Sequence, residues 1–460
     1  MSRLVVISNR VSPPSGAGGA ASGGLSSALA EALQEYDGLW FGWSGETTDQ
    51  FRSEPVIQEI GGVTVATIDL EEQDLDEYYN GYANRTLWPL FHYRIDFTEY
   101  QRSFGQGYQR VNRRFAESVR PFIQPDDIVW VHDYHLIPLG RELRRLGVTN
   151  KIGFFLHIPW PARQLVLTLP KHRELVSTLF DYDLVGFHTR EWLDAFHGYV
   201  IKEAGGTVEP DGRVSAFGRT TRAGAFPIGI DGREYAALAG SDGAREAYDR
   251  MVESLNGRRM IIGVDRLDYT KGLEDRFDAY AQFLADHPEL HEQVFLLQIA
   301  TKSREDVDTY QEIRNRLDAA IGRINGDYAT MDWVPVRYIN ASHRRDELAG
   351  LYRAASVGLV TPLRDGMNLV AKEYVASQNP EDPGVLILSA FAGAALQMKE
   401  ALIVNPFSRE DVADAIGRAL AMERPERIRR WEALMHGVVT EDVAAWRDSF
   451  VSALQAVEAR

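Results

Sequence analysis

The chain has 460 residues, 45% of them hydrophobic, with a formal net charge of -16 at pH 7 and no cysteine. The lack of cysteine excludes disulfides, thiolate metal sites and cysteine nucleophiles, and the acidic balance argues against duplex nucleic acid, which needs a broad basic face. The apolar run at the start is too short for a signal peptide, and no run approaches the roughly 18 apolar residues of a membrane span. We therefore predict a cytoplasmic protein, with two domains preferred for this length.

The first half alternates apolar runs with helical patterns. Residues 38–70 are interpreted as an inserted hairpin-like element. Continuous apolar runs separated by helices indicate a parallel sheet that is covered on both faces. Strands are predicted at 4–9, 127–133, 153–157 and 183–187, and helices at about 24–36 and 138–146.

The second half repeats this alternation more clearly. The sequence predicts an α/β protein with two doubly wound Rossmann-like domains, residues 1–228 and 229–440, facing each other across a cleft. Ligands of such sheets bind beyond the carboxyl ends of the strands, so candidate site residues should follow strands directly. The predicted strands are 260–264, 294–300, 334–339, 357–363, 385–389 and 402–406.

A glycine-rich loop follows the first strand. Arg10 ends that strand, and Gly23 and Gly24 come just before the next predicted helix. Glycines before a helix let the backbone approach a phosphate at the helix N-terminus. A flexible surface loop would give the same pattern, so the loop alone leaves both interpretations open.

Polar and aromatic side chains follow later strands of the first half. Asp133 can hold a sugar hydroxyl, and His157 precedes a rigid Pro-x-Pro turn that suits a cleft wall. A hydrogen-bonded core histidine is the commoner fate of a lone histidine. Tyr79 and Trp88 can stack on a pyranose, although ordinary packing is the more frequent role of such rings.

A basic strand-to-helix turn opens the second half. Arg266 and Lys271 share this turn, so both charges can reach a diphosphate held at the start of the following helix. The alternative is that Arg266 forms a surface ion pair with Asp265 or Asp268.

A second such turn lies further along the chain. Gly366 allows a tight backbone path, and a helix predicted to begin near Asn368 offers free N–H donors. Glu373 shares a helix face with Leu369 and can accept both hydroxyls of a ribose. The alternative is that Asp365 caps the helix and Glu373 is a solvated helix residue.

Two patterns resemble metal motifs and are set aside. Asp181 and Asp183 form a D-x-D sequence, but it precedes a strand, so we interpret it as a solvated turn. His132 and His135 lack the acidic partner and the spacing of a zinc-binding helix. We predict no required metal and no cofactor.

Taken in order, motifs from residue 2 to beyond 410 resemble one family, the retaining trehalose-6-phosphate synthases of glycosyltransferase family 20. The resemblance implies the GT-B fold, with the acceptor mainly on the N-terminal domain and the nucleotide mainly on the C-terminal domain. It also implies that a final helix, 441–460, crosses back to the first domain. The motifs are SNR, GGL, LWFGWSG, EQDLDEYYN, LWPLFHYR, VHDYHL, IGFFLHIPWP, FPIGID, DRLDYTKG, GRINGDY, TPLRDGMNLVAKEYVASQ and LSAFAGAA.

The resemblance also implies an acceptor site. By the family's pattern, Arg10 and Arg304 hold the phosphate of glucose 6-phosphate, while Tyr79, Trp88 and Asp133 place its sugar. These residues favour glucose 6-phosphate over the glycerol 3-phosphate used by related glucosylglycerol-phosphate synthases. Related pseudo-glycosyltransferases that make validoxylamine phosphate are a further alternative, as is a non-catalytic sugar-phosphate sensor.

A donor site is implied in the same way. Arg266 and Lys271 would neutralise the diphosphate. Asp365 and His157 would bind the transferred glucose. These four residues form the implied catalytic set. His343 departs from the aromatic residue that relatives can carry, which leaves the base open between uridine and guanosine. The implied nucleotide-sugar residues are Gly23, Gly24, Arg266, Lys271, His343, Asp365, Gly366, Met367, Asn368, Leu369, Val370 and Glu373.

The predicted reaction transfers glucose from UDP-glucose or GDP-glucose to glucose 6-phosphate with retention of configuration. The family's chemistry is usually described as front-face attack, which fits a sequence that supplies no activated nucleophile with its base. A glycoside hydrolase using Asp133 and Asp365 as a carboxylate pair is the alternative from another class. We expect small-molecule substrates, no nucleic-acid or membrane partner, and leave homo-oligomerisation open.

Overall fold

The computed structural model describes residues 3–11, 33, 38–60, 62–301 and 308–458. These residues segregate into two compact units. Unit 1 contains the described residues up to Ile228 together with those from Ala444 onward, and unit 2 contains Gly229–Val443.

Unit 1 is built on one sheet in which the described residues form ten strands, in the order β3-β4-β2-β1-β5-β6-β7-β10-β9-β8. Strands β4, β2, β1, β5, β6, β7 and β10 run parallel to one another, and the sheet becomes antiparallel at β3 and at β9 and β8. The strands are β1 (Leu4–Arg10), β2 (Leu39–Thr48), β3 (Val56–Ile60), β4 (Val63–Glu71), β5 (Ile128–His132), β6 (Ile152–Phe155), β7 (Leu184–Phe187), β8 (Thr207–Val208), β9 (Arg213–Ala216) and β10 (Arg219–Ala225).

Helices cover this sheet and explain the composition of its strands. Every residue of β5, β6 and β7 is buried, as expected of parallel strands with helices on both faces. The helices are α1 (Glu72–Asp74), α2 (Trp88–Phe91), α3 (Arg102–Val119), α4 (Leu139–Arg145), α5 (Arg163–Val166), α6 (His172–Thr178) and α7 (Arg190–Tyr199), with π-helical segments at Leu75–Leu87 and Val200–Ala204.

The last helix, Val443–Gln455, packs on the sheet of unit 1. The ring of Phe450 is completely buried and lies nearly parallel to that of Trp130, with their centroids 4.7 Å apart. Gly153 and Gly186 make room for it, since a Cβ at either position would lie 2.7 Å from the Phe450 ring. Two glycines on neighbouring strands therefore form the niche that receives this helix.

Unit 2 is built on a six-stranded sheet among the described residues, in the order β13-β12-β11-β14-β15-β16, and every pairing in it is parallel. Its strands are β11 (Arg259–Arg266), β12 (Val294–Thr301), β13 (Val336–Ile339), β14 (Val357–Val360), β15 (Val385–Ser389) and β16 (Leu402–Val404). Its helices are α8 (Gly232–Leu238), α9 (Asp242–Leu255), α10 (Leu273–Asp286), α11 (Asp308–Tyr328), α12 (Arg345–Ala354), α13 (Leu369–Ser377), α14 (Arg409–Ala421) and α15 (Arg424–Thr440), and the helix Val443–Gln455 is α16.

The predicted fold class, α/β with two doubly wound parallel sheets, is confirmed. The hairpin-like interpretation of residues 38–70 is wrong for most of that stretch. β2 pairs in parallel with β1 and with β4, and only β3 and β4 form an antiparallel hairpin. In sequence, a parallel pair is usually recognised by a helical pattern between its two strands. The connection from β2 to β4 contains β3 and, among its described residues, no helix.

The predicted helix at 24–36 lies outside the described residues, apart from Leu33. Within the described part of the chain, none of the helices has the length and apolar character needed to cross a membrane.

Candidate functional site

Arg10 stands at the carboxyl end of β1 in unit 1, with its side chain exposed. Its guanidinium lies 5.8 Å from the centroid of the Trp43 ring on the neighbouring strand β2. Gly45, with φ +98°, passes close to the guanidinium, and a side chain at that position would collide with it. The lack of a side chain at Gly45 therefore leaves room for the Arg10 guanidinium.

Tyr79 lies beside this arginine in the π-helical segment. Its ring centroid is 5.5 Å from that of Trp43 and 5.8 Å from that of His135, to which it is nearly parallel. Trp88 is almost completely buried, packed on His92 and 5.7 Å from the ring of Tyr134. Tyr79 thus presents a partly exposed ring, whereas Trp88 is only 5% exposed.

Asp133 follows β5 in a backbone conformation that side-chain-bearing residues rarely adopt, with φ 75° and ψ 167°. Such conformations cost on the order of 1–3 kcal/mol and cluster at functional sites. Its Oδ1 accepts a hydrogen bond of 3.2 Å from the backbone N–H of His157, which follows the next strand, β6. The loops after β5 and β6 are therefore held together at this edge of the sheet.

His157 also forms a histidine pair. Its Nε2 lies 2.9 Å from Nδ1 of the buried His132, and burial lowers the pKa of His132 to about 3. Burial, together with His132 and His188, holds the pKa of His157 well below its ordinary value of 6.5. The pair is therefore neutral at physiological pH.

The surroundings of His132 decide which nitrogen carries each proton. Nε2 of His132 is buried and has no hydrogen-bond partner among the described residues, so a proton there would be a costly unsatisfied donor. His132 therefore donates from Nδ1 to Nε2 of His157. His157 must then carry its own proton on Nδ1, so it offers an N–H donor to a ligand.

Arg266 ends β11 in unit 2, and its side chain is exposed. The neighbouring Asp265 forms a buried ion pair with Arg276 of α10. Arg276 is fully buried and also donates to Thr361 Oγ1 at 3.0 Å and Gln298 Oε1 at 2.8 Å. This network supports the turn that carries Arg266 and Lys271.

Sequence reasoning missed Arg276. A signal was present, because Arg276 occupies the apolar face of α10 together with Leu273, Tyr280 and Phe283. A charge on such a face requires a buried partner.

Lys271 and Asp365 meet in unit 2 although they follow different strands. Lys271 Nζ forms an ion pair with Asp365 Oδ2, which also accepts a hydrogen bond of 3.2 Å from Asn368 Nδ2. Asn368 itself caps α13, since its side chain accepts from the Ala371 N–H at 3.2 Å. The alternative that Asp365 caps this helix is therefore wrong.

The backbone after Asp365 is fixed by the segment 391–394. Asp365 N donates to Phe391 O at 3.1 Å, and Ala394 N donates to the buried Met367 at 2.8 Å. A Cβ at Gly393 would collide with the carbonyl of Gly366. The LSAFAGAA motif thus clamps the loop that precedes α13, whose first residues Leu369 and Val370 remain partly accessible.

Glu373 lies one turn into α13, where its side chain is half-buried rather than solvated, so that alternative is also wrong. Burial raises the pKa of Glu373 to about 7, opposed by the charge of Arg345 and by a hydrogen bond from the Tyr235 hydroxyl. The Arg345 guanidinium in turn lies 5.3 Å from the centroid of the Tyr235 ring. Glu373 is held in a defined position as a carboxyl group that changes charge near neutral pH.

His343 follows β13, and its Nδ1 lies 3.1 Å from Glu347 Oε2. Its Nε2 has no hydrogen-bond partner among the described residues. Gly23, Gly24 and Arg304 lie outside the described residues, so their roles stay predictions.

The aspartates of the D-x-D sequence, which was set aside as a metal motif, form ion pairs with arginines. Asp181 and Asp183 are buried rather than solvated, because Asp181 pairs with Arg141 and Arg219, and Asp183 pairs with Arg144. Across the described ranges, no group of three or more histidine, aspartate or glutamate side chains is arranged to hold a metal ion.

Comparisons with known proteins give a consistent result. The model of glycosyltransferase family 20 matches residues 15–456. A trehalose-6-phosphate synthase of Sinorhizobium fredii is 47% identical over 458 residues, covering 99% of both chains. That of Escherichia coli K12 is 45% identical, covering 100% of this chain and 96% of its own.

Solved structures agree with these relatives. The UDP-forming α,α-trehalose-phosphate synthase of Burkholderia xenovorans, in complex with glucose 6-phosphate, superposes with a TM-score of 0.95 at 48% identity, over 99% of this chain and 100% of that one. An E. coli structure described as trehalose-6-phosphate bound with UDP-2-fluoro glucose superposes with a TM-score of 0.95 at 45% identity, over 100% of both chains.

Proposed function

Because the chain belongs to glycosyltransferase family 20, we propose that it transfers glucose from UDP-glucose to glucose 6-phosphate, giving α,α-trehalose 6-phosphate and UDP. The observation that carries the proposal is the contact of Lys271, Asp365 and Asn368 beyond two neighbouring strands of unit 2. This is the position at which doubly wound sheets bind ligands. The choice of UDP rests on the UDP-forming and UDP-sugar-bound relatives.

In the donor complex, Arg266 and Lys271 neutralise the diphosphate. Lys271 leaves its ion pair with Asp365 for a phosphate oxygen, and Asp365 then accepts hydrogen bonds from hydroxyls of the transferred glucose. Two cations beside the start of a helix stabilise the charge that grows on the leaving group, which is commonly the largest catalytic contribution. This arrangement does the electrostatic work without a metal ion.

Further along α13, Glu373 accepts hydrogen bonds from the ribose hydroxyls. Gly366, Met367, Leu369 and Val370 shape the nucleoside end of the site through the clamped loop and the first turn of α13. His343 contacts the base with its unpartnered Nε2.

On the acceptor side, Arg10 holds the 6-phosphate, and Tyr79, Trp88 and Asp133 place the sugar. The exposed guanidinium beside Trp43 and Tyr79 supports this assignment, since it joins a phosphate-binding charge to an aromatic surface. His157 donates from Nδ1 to a hydroxyl of the transferred glucose. Gly23, Gly24 and Arg304 complete the sites as the family's pattern implies.

The reaction proceeds on one face of the donor sugar. The bond between glucose C1 and the diphosphate oxygen breaks, a bond from the acceptor hydroxyl oxygen to C1 forms, and the acceptor proton passes to an oxygen of the leaving diphosphate. The protein supplies orientation and charge stabilisation and forms no covalent intermediate.

A matrix of donors and acceptors tests the proposal. Purified protein is incubated with UDP-, GDP- or ADP-glucose and with glucose 6-phosphate or glycerol 3-phosphate, with and without EDTA. We expect trehalose 6-phosphate from UDP-glucose and glucose 6-phosphate, at a rate that EDTA does not change. Product formed only with glycerol 3-phosphate, or glucose released from a plain disaccharide without any nucleotide, would refute it.

Two matched variants test the diphosphate assignment. Arg266→Ala should lower kcat/KM by about 10²- to 10³-fold, the effect of removing one preorganised donor at a developing charge. Arg323→Ala is the control, because Arg323 is an exposed arginine of the same unit with only a loose ion pair. Equal activity of the two variants would contradict the role given to Arg266.

A further inference from the structure

A cavity of about 620 Å³ lies in unit 1 among the π-helical segment Leu75–Leu87 and the helices α3, α4 and α6. None of the site residues assigned above lines it. Its volume falls in the middle of the range of roughly 300–1,000 Å³ that small-molecule sites occupy. The cavity is large enough for a metabolite and is separate from the proposed acceptor and donor residues.

The lining of this cavity carries a net positive charge, whereas the whole chain is negatively charged. The chain has a formal net charge of -16, yet cationic side chains outnumber carboxylates around the cavity. Such a local surplus concentrates anionic ligands. The cationic lining residues are Arg102, Arg113, Arg141, Arg145 and Lys171, and the acidic ones are Glu142 and Glu174.

Arg102 and Arg113 have N–H donors that can bind an anionic ligand. Arg102 makes no ion pair with any residue that the structure describes, and the Arg113 guanidinium is 4.0 Å from the nearest carboxylate oxygen, that of Glu142. Arg141 pairs with the buried Asp181, which Arg219 also neutralises. Arg145 pairs with Glu142 and Lys171 with Glu174, so the surplus positive charge of the lining rests on Arg102, Arg113 and Arg141.

The N-terminus of α3 adds to this potential. Gln101, its N-cap residue, makes no side-chain hydrogen bond to the first turn, and Arg102, Gly105 and Gln106 from the first turns line the cavity. The free N–H groups and the positive end of an 18-residue helix favour a phosphate group.

Three tyrosines complete the lining, and Tyr82 and Tyr100 are the two accessible ones, since Tyr108 is buried with its ring 4.4 Å from that of Tyr82. Tyr100 is 41% exposed, and its hydroxyl lies 3.0 Å from Thr168 Oγ1. Tyrosine rings pack on the C–H faces of sugars, while arginines match the oxygens of a phosphate. We propose that this cavity is a second ligand site, and that it binds a phosphorylated sugar.

Counting bound ligand tests the proposal in the full-length protein. Glucose 6-phosphate is titrated calorimetrically into the wild type and into the double variant Arg102→Glu/Arg113→Glu. We expect the wild type to bind one equivalent per chain more than the variant, while turnover at saturating substrate stays the same. Inorganic phosphate should occupy the cavity about tenfold more weakly, because it lacks the sugar that contacts the tyrosines.

The matched control is Arg190→Glu/Arg213→Glu, two arginines of unit 1 with side chains 72% and 57% exposed, compared with 61% for Arg113. The control should bind as the wild type does. Equal numbers of bound equivalents in wild type and cavity variant would overturn the proposal, as would the same loss in the control or equal affinity for inorganic phosphate. A changed oligomeric state with unchanged binding would make the cavity an interface instead. The count does not use turnover, so it is independent of the proposed reaction.

Discussion

Replacing Phe450 by alanine tests the packing of α16 on unit 1. The ring is completely buried, with centroids 4.7 Å from Trp130, 5.6 Å from Phe155 and 5.2 Å from Phe226. A buried Phe→Ala substitution costs about 3–5 kcal/mol, and we expect about 4 kcal/mol here because strand backbone cannot collapse into the cavity. For a domain of this size that lowers the Tm by roughly 8–16 °C.

A substitution at Gly153, which faces Phe450, gives a second test of the same packing. Gly153→Ala alone should destabilise by about 1–3 kcal/mol, since its Cβ would press on the ring. In the Phe450→Ala background the same methyl group fills part of the cavity, so its cost should fall, and only the contact with Leu454 remains.

Scanning calorimetry of the two single variants and the double variant measures these terms, with Phe407→Ala as the control because Phe407 is 62% exposed. A Tm shift below about 2 °C for Phe450→Ala would refute the packing argument. An equal cost of Gly153→Ala in both backgrounds would refute the geometry of the niche.

Three further predictions concern the site. Arg276→Met should lower the free energy of unfolding by about 3–5 kcal/mol, because it leaves the buried Asp265 without its ion-pair partner. Asp265→Asn in that background should restore part of the loss. Urea unfolding measures both changes. His132→Phe should lower kcat about tenfold and shift the His157 proton from Nδ1, as read from imidazole ¹⁵N shifts; an unchanged tautomer would contradict the pairing. Since the pKa of Glu373 is raised from 4.5 to about 7, its contribution to stability is present below pH 4.5 and lost as the pH rises to about 7, and Glu373→Gln should flatten that fall in unfolding experiments. UDP binding should strengthen as the pH rises through about 7, where Glu373 ionises in the folded protein, and only in the wild type.

Strand positions were predictable because buried parallel strands are continuous apolar runs. β5 and β11 lie where the sequence places them, and Arg10, Asp133 and Arg266 fall at or directly after strand ends, as the positional rule for such sheets requires. β2 and β4 were misread because their parallel pairing leaves no helical signal between them.

The partners of individual side chains were not predictable in the same way. The capping role of Asn368, the ion pair of Lys271 with Asp365 and the buried pair of Asp265 with Arg276 all depend on which segments become neighbours in the folded sheet. Local sequence gives the charge of Asp181, but its burial between Arg141 and Arg219 follows only from tertiary structure.

The return of α16 to unit 1 has a consequence for biosynthesis. Trp130 and the glycine niche are synthesised before unit 2, whereas Phe450 is synthesised after it. Unit 1 therefore cannot close its core until α16 has been synthesised, and the face of β5, β6 and β7 that binds α16 stays exposed until the whole of unit 2 has been made. A nascent chain that stops short of α16 should be a substrate for chaperones and proteases, so the packing of α16 distinguishes chains that contain all of unit 2 from those that do not.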